Sequence, residues 1–142
     1  MGNPLNRLAS VMTALHARLY RVTDGKVGGA IKGTPVLVVE TTGRKSGEKR
    51  ARPLMKIDHG GKPHIVASNN GSDDHPAWYL NVLANPTVTV TDGGETYEAR
   101  AVVLEDAERD AAYVSAKQQM DNFVGYERKS SRSIPVIRLD RA

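Results

Sequence analysis

The stretch TPVLVVETTGRKSGEKRARPLMKID, residues 34–58, decides the fold of this chain of 142 residues. Residues 34–42 form a continuous run of β-branched and apolar side chains, which predicts a buried strand. Gly43 and Gly47 then permit a tight turn, and an apolar pattern resumes over residues 53–58 as a returning strand. The stretch therefore predicts an antiparallel hairpin.

The turn of this hairpin concentrates the charge of the chain. Against one acid, Glu48, it carries the cations Arg44, Lys45, Lys49, Arg50 and Arg52. This surplus of four equals the formal net charge of the whole chain, +4, so the rest of the sequence is balanced. A solvated face is the ordinary explanation for such a run. Arginine forks, backbone N–H groups at the glycines and the Ser46 hydroxyl would also suit a phosphate or several carboxylates.

Several classes of function are excluded by composition or spacing. The chain has no cysteine, which excludes disulfides, thiolate nucleophiles and cysteine-ligated metal sites. Its four histidines lack metal-ligand spacing, so no metal site is expected. The P-loop pattern is not met, because three residues separate Gly43 from Gly47 and no strand-to-helix transition follows. No apolar run could span a membrane and no signal peptide is recognised, so we expect a cytoplasmic protein.

The remaining sequence alternates hairpins with helices. A stripe of apolar residues predicts an N-terminal helix over residues 4–20, which packs on its own domain or lies on a membrane surface. A glycine-rich connection follows at residues 23–32. The elements predicted after the first hairpin are a turn at 59–62, a strand at 64–68, a helix starting at Asp73, Asp74 and Pro76 and ending at Asn85–Pro86, strands at 87–91 and 96–104, a helix at 105–120 and a strand at 134–139.

This order predicts an α+β fold with a mostly antiparallel sheet, shaped as a small barrel. No internal repeat or linker is found, so residues 1–142 are expected to form a single domain. Within it, residues 1–32 would supply the N-terminal helix and linker, and residues 33–142 the barrel.

A second polar stretch, VASNNGSDDHPAWYLN at residues 66–81, could complete a binding site with the basic turn. It runs from a strand end through an open loop into a helix amino terminus, which would make a wall for a planar polar ring. Trp78 fits either the core or this wall. Together the two stretches describe an elongated ligand with an aromatic head and an anionic tail. A nucleic acid is a poorer fit, because no aromatic side chain interleaves with the basic turn.

Three motifs, TTGRKSGEKRARPL, VASNNGSDDHPAWYLNVLANP and YERKSSRSIPVIRL, resemble the deazaflavin-dependent nitroreductase and quinone reductase family of actinobacteria. The resemblance extends from about residue 34 to residue 139. It implies a split β-barrel like that of flavin-mononucleotide-binding oxidases. It also implies coenzyme F420, a 5-deazaflavin with a phospholactyl and oligoglutamate tail, whose reduced form passes a hydride to quinones, nitroaromatics or activated alkenes.

By the same resemblance, the anionic tail would meet the cations of the basic turn. The cofactor-binding residues would be Arg44, Lys45, Ser46, Arg50, Ala51, Arg52, Pro53, Leu54, Met55, Val66, Ala67, Ser68, Asn69, Ala77, Trp78, Tyr79, Leu80 and Asn81. One departure stands out, since the best-known relative has a lysine at the position of Asn69.

The substrate side departs further from the family pattern. Several tyrosines precede the terminal segment in the nitroreductase type, whereas here Tyr126 keeps a phenol and Met120 and Phe123 occupy the earlier aromatic positions. These three residues are the expected substrate contacts, in a more apolar pocket. Tyr126 or Ser68 is the expected catalytic donor to the acceptor oxygen as negative charge develops there.

Alternatives from other classes stay open at this point. The same fold could bind flavin mononucleotide, FMN, although a single phosphate needs fewer cations than an oligoglutamate tail. The chain could also be a non-catalytic protein that binds F420. Its oligomeric state would be monomer or homodimer, and the N-terminal helix would permit peripheral contact with the inner face of the cell membrane.

Overall fold

The computed structural model describes residues 30–31 and 34–142, so the predicted N-terminal helix lies outside the described residues. Within these ranges the strands are β1 Ala30–Ile31, β2 Thr34–Thr42, β3 Lys49–Met55, β4 Ile57–His59, β5 Lys62–Val66, β6 Thr87–Asp92, β7 Glu95–Val103 and β8 Val136–Arg141. The helices are α1 Ala77–Ala84, α2 Asp106–Gln119 and α3 Asn122–Lys129, with a 3₁₀ turn at Asn69–Gly71. None of these helices has the length and apolar content needed to cross a membrane.

The strands form one antiparallel sheet whose order is β3-β2-β6-β7-β8-β5-β4, with β1 pairing to the start of β2. Strands β3 and β4 stand at opposite ends of this order, yet only Lys56 separates them along the chain. Because one residue spans only about 3.5 Å, the sheet has to curl until its ends approach each other. The predicted antiparallel α+β class is confirmed, and the curled sheet has the form of a half-barrel.

Alternation along the strands gives the sheet two apolar faces. Ile137 of β8 and Ile65 of β5 belong to a first core, which they form with α1. The adjacent Val136 and Val66 point to the other face and belong to a second core with α2 and α3. Trp78, Tyr79 and Val82 are the side chains by which α1 enters the first core. Tyr113, Ala116 and Phe123 belong to the second. The helices therefore cover both faces, and the start of α1 is anchored by its own aromatic side chains.

The first hairpin forms as predicted, but its second strand differs in extent. We predicted a returning strand over residues 53–58, whereas β3 begins at Lys49 and ends at Met55. The pairing of Thr42 with Lys49 extends the ladder into the basic segment, because a six-residue turn closed by the hydrogen bond from Gly43 to Glu48 suffices. The chain then bends at Lys56, whose ammonium pairs with Asp92 at 2.7 Å. Arg50 and Arg52 are therefore strand residues.

Three further details correct the predictions. Helix α3 was not predicted, since it is only eight residues long and contains Gly125. It is fixed by tertiary contacts such as the hydrogen bond from the Tyr113 hydroxyl to the carbonyl of Phe123, at 2.8 Å. Ala30–Ile31 is a strand where a connection was expected. The first turn of α1 contains no carboxylate, because that helix begins after Pro76.

Candidate functional site

A groove with two connected lobes runs between the β2–β3 hairpin, the loop after β5 and the start of α1. The aromatic lobe, about 380 Å³, is lined by Arg52, Pro53, Leu54, Met55, Val66, Ser68, Asn69, Asn70, His75, Pro76, Ala77, Trp78, Phe123 and Tyr126. The cationic lobe, about 660 Å³, is lined by Gly43, Arg44, Lys45, Ser46, Lys49, Arg50, Ala51, Arg52, Ala77, Trp78 and Asn81. Arg52, Ala77 and Trp78 belong to both lobes, which makes the groove continuous.

The electrostatic character of the groove is uniform. No aspartate or glutamate lines either lobe in the described part of the chain, while five arginine or lysine side chains line the cationic one. A concave surface with charges of one sign attracts and concentrates ligands of the opposite sign. The groove thus suits an elongated anion whose apolar end lies in the aromatic lobe.

The turn at residues 43–48 is shaped by its own hydrogen bonds. The Gly43 N–H donates to the carbonyl of Glu48 at 2.7 Å, and the Gly47 N–H donates to the carbonyl of Gly43 at 2.8 Å. A Cβ at Gly43 would lie 2.8 Å from Oγ of Ser46 and 3.2 Å from the carbonyl oxygen of Glu48, so a larger residue there would displace the Ser46 side chain and crowd the turn. That Oγ accepts from the Glu48 N–H at 3.1 Å and keeps its own proton for donation.

Asn81 joins the turn to helix α1 and strand β2. Its Oδ1 accepts from both the backbone N–H and Nη1 of Arg44, each at 3.1 Å. Its Nδ2 donates to the buried hydroxyl of Thr41 at 3.2 Å. Asn81 is itself buried, so its amide sets the position of the turn from inside the protein.

The cations of the basic turn differ in whether they already form an ion pair or a hydrogen bond within the protein. Arg50 pairs with Glu48 at 3.1 Å, but both side chains are more than half exposed, so this pair contributes little. Lys49 donates to the hydroxyl of Thr42 at 2.9 Å. Within the described residues, Lys45 and Arg52 have no ion pair. Lys45 and Arg52 are therefore available to an anionic ligand.

The loop after β5 has an unusual backbone. Asn69, Asn70 and Gly71 have φ angles of 46°, 55° and 80°, three successive residues in the left-handed region. A Cβ at Gly71 would lie 3.2 Å from Cα of Tyr126, so glycine allows α3 to approach the loop closely. The Asn69 side chain donates to the carbonyl of Asp74 at 3.1 Å, which holds the loop in this form.

The two hydroxyl groups predicted as catalytic donors differ in whether they already donate a hydrogen bond within the protein. The Tyr126 hydroxyl donates to Oδ1 of Asn70 at 3.3 Å and accepts from Nδ2 of Asn122 at 3.4 Å. The Ser68 hydroxyl donates no hydrogen bond to any of the described residues, and this side chain lines the aromatic lobe. The proton of Ser68 is therefore available there, whereas Tyr126 would have to release Asn70.

Arg132, just before β8, holds this loop from behind. Its guanidinium donates to the carbonyls of Ala67, Ser68 and Ser72 at 3.0, 3.1 and 3.1 Å. Its Nη1 lies 3.2 Å from Nδ1 of His75. Partial desolvation and the charge of Arg132 lower the pKa of this exposed histidine, although Asp74 acts in the opposite direction. The shape of the aromatic lobe thus depends on a residue that does not line it.

Most residues expected at the site line the groove, including Phe123 and Tyr126. The exceptions are Ala67, Tyr79, Leu80 and Met120. The first three pack in or against the first core behind the groove wall, and Met120 packs against the second core. Their predicted contacts are therefore not direct contacts of the groove surface.

Sequence reasoning placed Asn70 in the loop of the site without naming it as a contact, and it named neither His75, Pro76 nor Arg132 as a contact of this region. His75 and Pro76 stand inside the quoted HPAWY motif, and their place directly before the helix is the signal that could have found them. Arg132 reaches the loop only because β8 pairs with β5, with Val136 opposite Val66. The sequence feature that could have indicated Arg132 is its position as a basic residue shortly before the final strand.

Comparison with known proteins gives consistent results. A family model described as F420H(2)-dependent quinone reductase matches residues 12–140. An F420H(2)-dependent quinone reductase of Mycobacterium tuberculosis (strain ATCC 25618 / H37Rv) is 33% identical over 131 residues, covering 89% of this chain and 88% of that protein.

Two solved structures are also similar. A domain-swapped dimer is 34% identical with a TM-score of 0.71, covering 97% of this chain and 100% of the other. An F420-H2 dependent reductase (FDR-A) is 41% identical with a TM-score of 0.69, covering 75% of this chain and 94% of the other.

Proposed function

This chain belongs to the F420H(2)-dependent quinone reductase family, and from that premise we propose how its own residues divide cofactor binding from hydride transfer. It is an oxidoreductase whose hydride donor is reduced coenzyme F420 and whose acceptor is a quinone. The observation that supports these separate roles is the continuous groove. It has no carboxylate among its described lining residues, and it has cations at one end and aromatic and apolar side chains at the other.

The cationic lobe is proposed to hold the phosphate and glutamate groups of the cofactor tail. Arg44, Lys45 and Arg52 are the side chains that have no carboxylate partner among the described residues, and a phosphate or carboxylate would supply one. Ser46 can add a neutral donor. Asn81 orients Arg44 before the ligand arrives, so little of that side chain's freedom remains to be lost on binding.

The aromatic lobe is proposed to hold the deazaflavin ring beside the acceptor. The ring would lie on Trp78 and the Ser68–Asn70 loop, where a strand end, an open loop and a helix amino terminus meet. The bound cofactor supplies a hydride, and the quinone takes it together with a proton to become a hydroquinone. The protein's task is then to hold both rings, exclude water and stabilise the charge that develops on the acceptor oxygen.

Ser68 and Tyr126 are the proposed donors to that oxygen. Ser68 can donate without rearrangement, because its hydroxyl donates to none of the described residues and the side chain lines the aromatic lobe. Tyr126 can donate after releasing Asn70, a bond that is long at 3.3 Å and therefore weak. Both donors are neutral, so they would stabilise the developing charge without changing the charge of the groove.

Phe123 and Met55 are proposed to select the acceptor. Both line the aromatic lobe and belong to or pack against the second core, and neither offers a hydrogen-bond donor. Quinones with apolar substituents should therefore be preferred over acceptors that need several hydroxyl contacts. Nitroaromatics and activated alkenes are further proposed acceptors, reduced less efficiently.

An anaerobic assay tests this function. Purified protein is mixed with reduced F420 and a water-soluble quinone, and the return of the absorbance of oxidised F420 is followed, with a reaction lacking protein as control. Oxidation that depends on both protein and quinone is the expected result. Binding of F420 without oxidation by any quinone, nitroaromatic or enone would indicate a non-catalytic binder instead.

We also propose that the protein is a homodimer. The support is the similarity over 97% of this chain to a structure described as a domain-swapped dimer, at 34% identity. The molar mass in solution, measured by light scattering during size-exclusion chromatography, tests this, because a monomer would give 15.4 kDa.

A further inference from the structure

We propose that His75 is a further substrate-contacting residue, whose Nε2–H donates a hydrogen bond to a carbonyl oxygen of the quinone in the aromatic lobe. In the same proposal, Arg132 is the positioning residue that keeps His75 in the donating form. The inference rests on the proposed function and deepens it by adding a nitrogen donor to the two hydroxyl groups.

The contact with Arg132 determines which nitrogen of His75 carries the proton. Nη1 of Arg132 lies 3.2 Å from Nδ1 of His75, and a guanidinium has donors but no acceptor. Nδ1 must therefore accept, which leaves the proton of the neutral imidazole on Nε2. His75 is exposed, but partial desolvation and the positive charge of Arg132 both lower its pKa, so the neutral form predominates at neutral pH.

The imidazole is held in place on two sides. Arg132 is itself fixed by hydrogen bonds to the carbonyls of Ala67, Ser68 and Ser72, so it cannot easily turn away from His75. The ring of Tyr79, a buried side chain of α1, lies 4.8 Å from the imidazole at an angle of 44°. A donor held in this way acts without reorganising when charge develops.

The position of His75 directs this donor to the ligand. His75 lines the aromatic lobe, whereas Arg132, which engages Nδ1, does not. Nε2–H is consequently the polar hydrogen that the side chain can offer to the lobe. No carboxylate among the described lining residues competes for it. During reduction the quinone gains a hydride and a proton. His75 retains its own proton, and a proton from bulk solvent completes the hydroquinone after the hydride has been transferred.

The first test needs neither cofactor nor activity. Nitrogen-15 NMR of the apoprotein reports which imidazole nitrogen is protonated, and His75→Gln identifies the His75 signals by their loss. We expect a protonated Nε2 and an unprotonated Nδ1 at neutral pH. Protonation at Nδ1 instead would overturn the proposal.

The second test separates acceptor binding from cofactor binding. His75→Phe keeps a ring of similar size but removes the donor, and should lower kcat/KM for the quinone about tenfold, the effect of one hydrogen bond. His75→Gln restores an N–H near the position of Nε2 and should recover most of the loss. The Kd for reduced F420 should be unchanged in both variants.

A second histidine outside the groove, His59, provides a matched control for the His75 variants. His59→Gln alters a histidine that bonds Ser115 at 2.7 Å and does not line the groove, so its kinetics should equal those of the wild type. The proposal is overturned if His75→Phe is as active as the wild type, if Gln rescues nothing, or if the loss appears in the Kd for F420. A wild-type protein that binds reduced F420 but does not oxidise it with any quinone would instead defeat the proposed function and this inference with it.

Discussion

The Oδ1 atom of Asn81 accepts two hydrogen bonds from Arg44, one from its backbone N–H and one from its guanidinium, both at 3.1 Å. This relationship links a buried amide of α1 to the exposed basic turn, across 37 positions of sequence. It places the start of α1, which shapes the aromatic lobe, and the turn, which shapes the cationic lobe, in one rigid arrangement. Cofactor affinity and local stability should therefore respond together when Asn81 is changed.

Asn81→Ala tests that coupling. The substitution leaves the Arg44 N–H and the buried Thr41 hydroxyl without their partner, so we expect a loss of about 1–3 kcal/mol in the free energy of unfolding. Affinity for F420 should fall as well, because Arg44 is no longer oriented. Denaturant unfolding and a cofactor titration measure the two effects. Thr41→Val is the matched control, since it removes the contact with Thr41 and keeps the one with Arg44; its cofactor affinity should stay at the wild-type value.

Ser68→Ala and Tyr126→Phe rank the two proposed hydroxyl donors. Ser68 is ready to donate, so its loss should lower kcat for the quinone on the order of 100-fold, as for other donors to a developing oxyanion. Tyr126→Phe should cost less, because its proton is already shared with Asn70. Steady-state kinetics with saturating reduced F420 gives the ranking. A larger loss in Tyr126→Phe than in Ser68→Ala would reverse these roles.

Gly71→Ala tests whether the loop and α3 must approach closely. The residue has φ 80°, and a Cβ would lie 3.2 Å from Cα of Tyr126, so strain and displacement of α3 should add up to about 1–3 kcal/mol of destabilisation. Gly60→Ala is a matched control with φ 61° and open space around its Cβ, and should cost less. Thermal unfolding of both variants measures the difference. Equal losses would show that the contact with Tyr126 is unimportant.

His64 should make stability depend on pH. Burial lowers the pKa of this histidine below its ordinary value of 6.5, which the unfolded chain keeps. Below about pH 6.5 the unfolded state therefore binds more protons, and stability should fall as the pH is lowered towards 5. The slope for one proton is at most about 1.4 kcal/mol per pH unit.

Other groups either add to this trend or act at lower pH. The pKa of His75 is also lowered, so it contributes in the same direction. The pKa values of Asp73 and Asp140 are lowered from 3.8, by hydrogen bonds from Ser131 and Arg138, and affect stability only in more acidic solution. Denaturant unfolding between pH 5 and 7 should show a shallower slope in His64→Gln. Identical slopes in the wild type and His64→Gln would exclude His64 as a source of the pH dependence of stability.

The sequence was most informative where local signals agree with the fold. The β-branched run at residues 34–42 and the glycine turn at 59–62 are placed correctly, because strand propensity and turn geometry act over a few residues. Helix α3 and the bend at Lys56 could not be predicted in the same way. Their positions depend on contacts with distant residues, such as Asp92 for Lys56.

The same distinction applies to the site. The cations of the turn and the polar loop were visible as clusters, since each lies in one short stretch. The link through Asn81, the contact of Arg132 with the loop and the wall formed by Phe123 arise only when the sheet curls and α3 packs beside it. Tyr79 and Leu80 are the opposite case. Their motif suggests ligand contacts, but Tyr79 packs in the first core and Leu80 packs against it, behind the wall of the groove.

The central claim is that the cationic lobe recognises the tail of F420. It is tested most directly by titrating the wild type and Arg44→Gln/Lys45→Gln with F420, with a tail-free deazaflavin and with FMN, using Arg100→Gln as a control for charge. The wild type should bind F420 most tightly. The double variant should lose at least about tenfold in affinity for F420, equivalent to 1.4 kcal/mol, and little for the tail-free ring. Equal binding of F420 by the wild type and the double variant, or binding of FMN as tight as that of F420, would contradict the account.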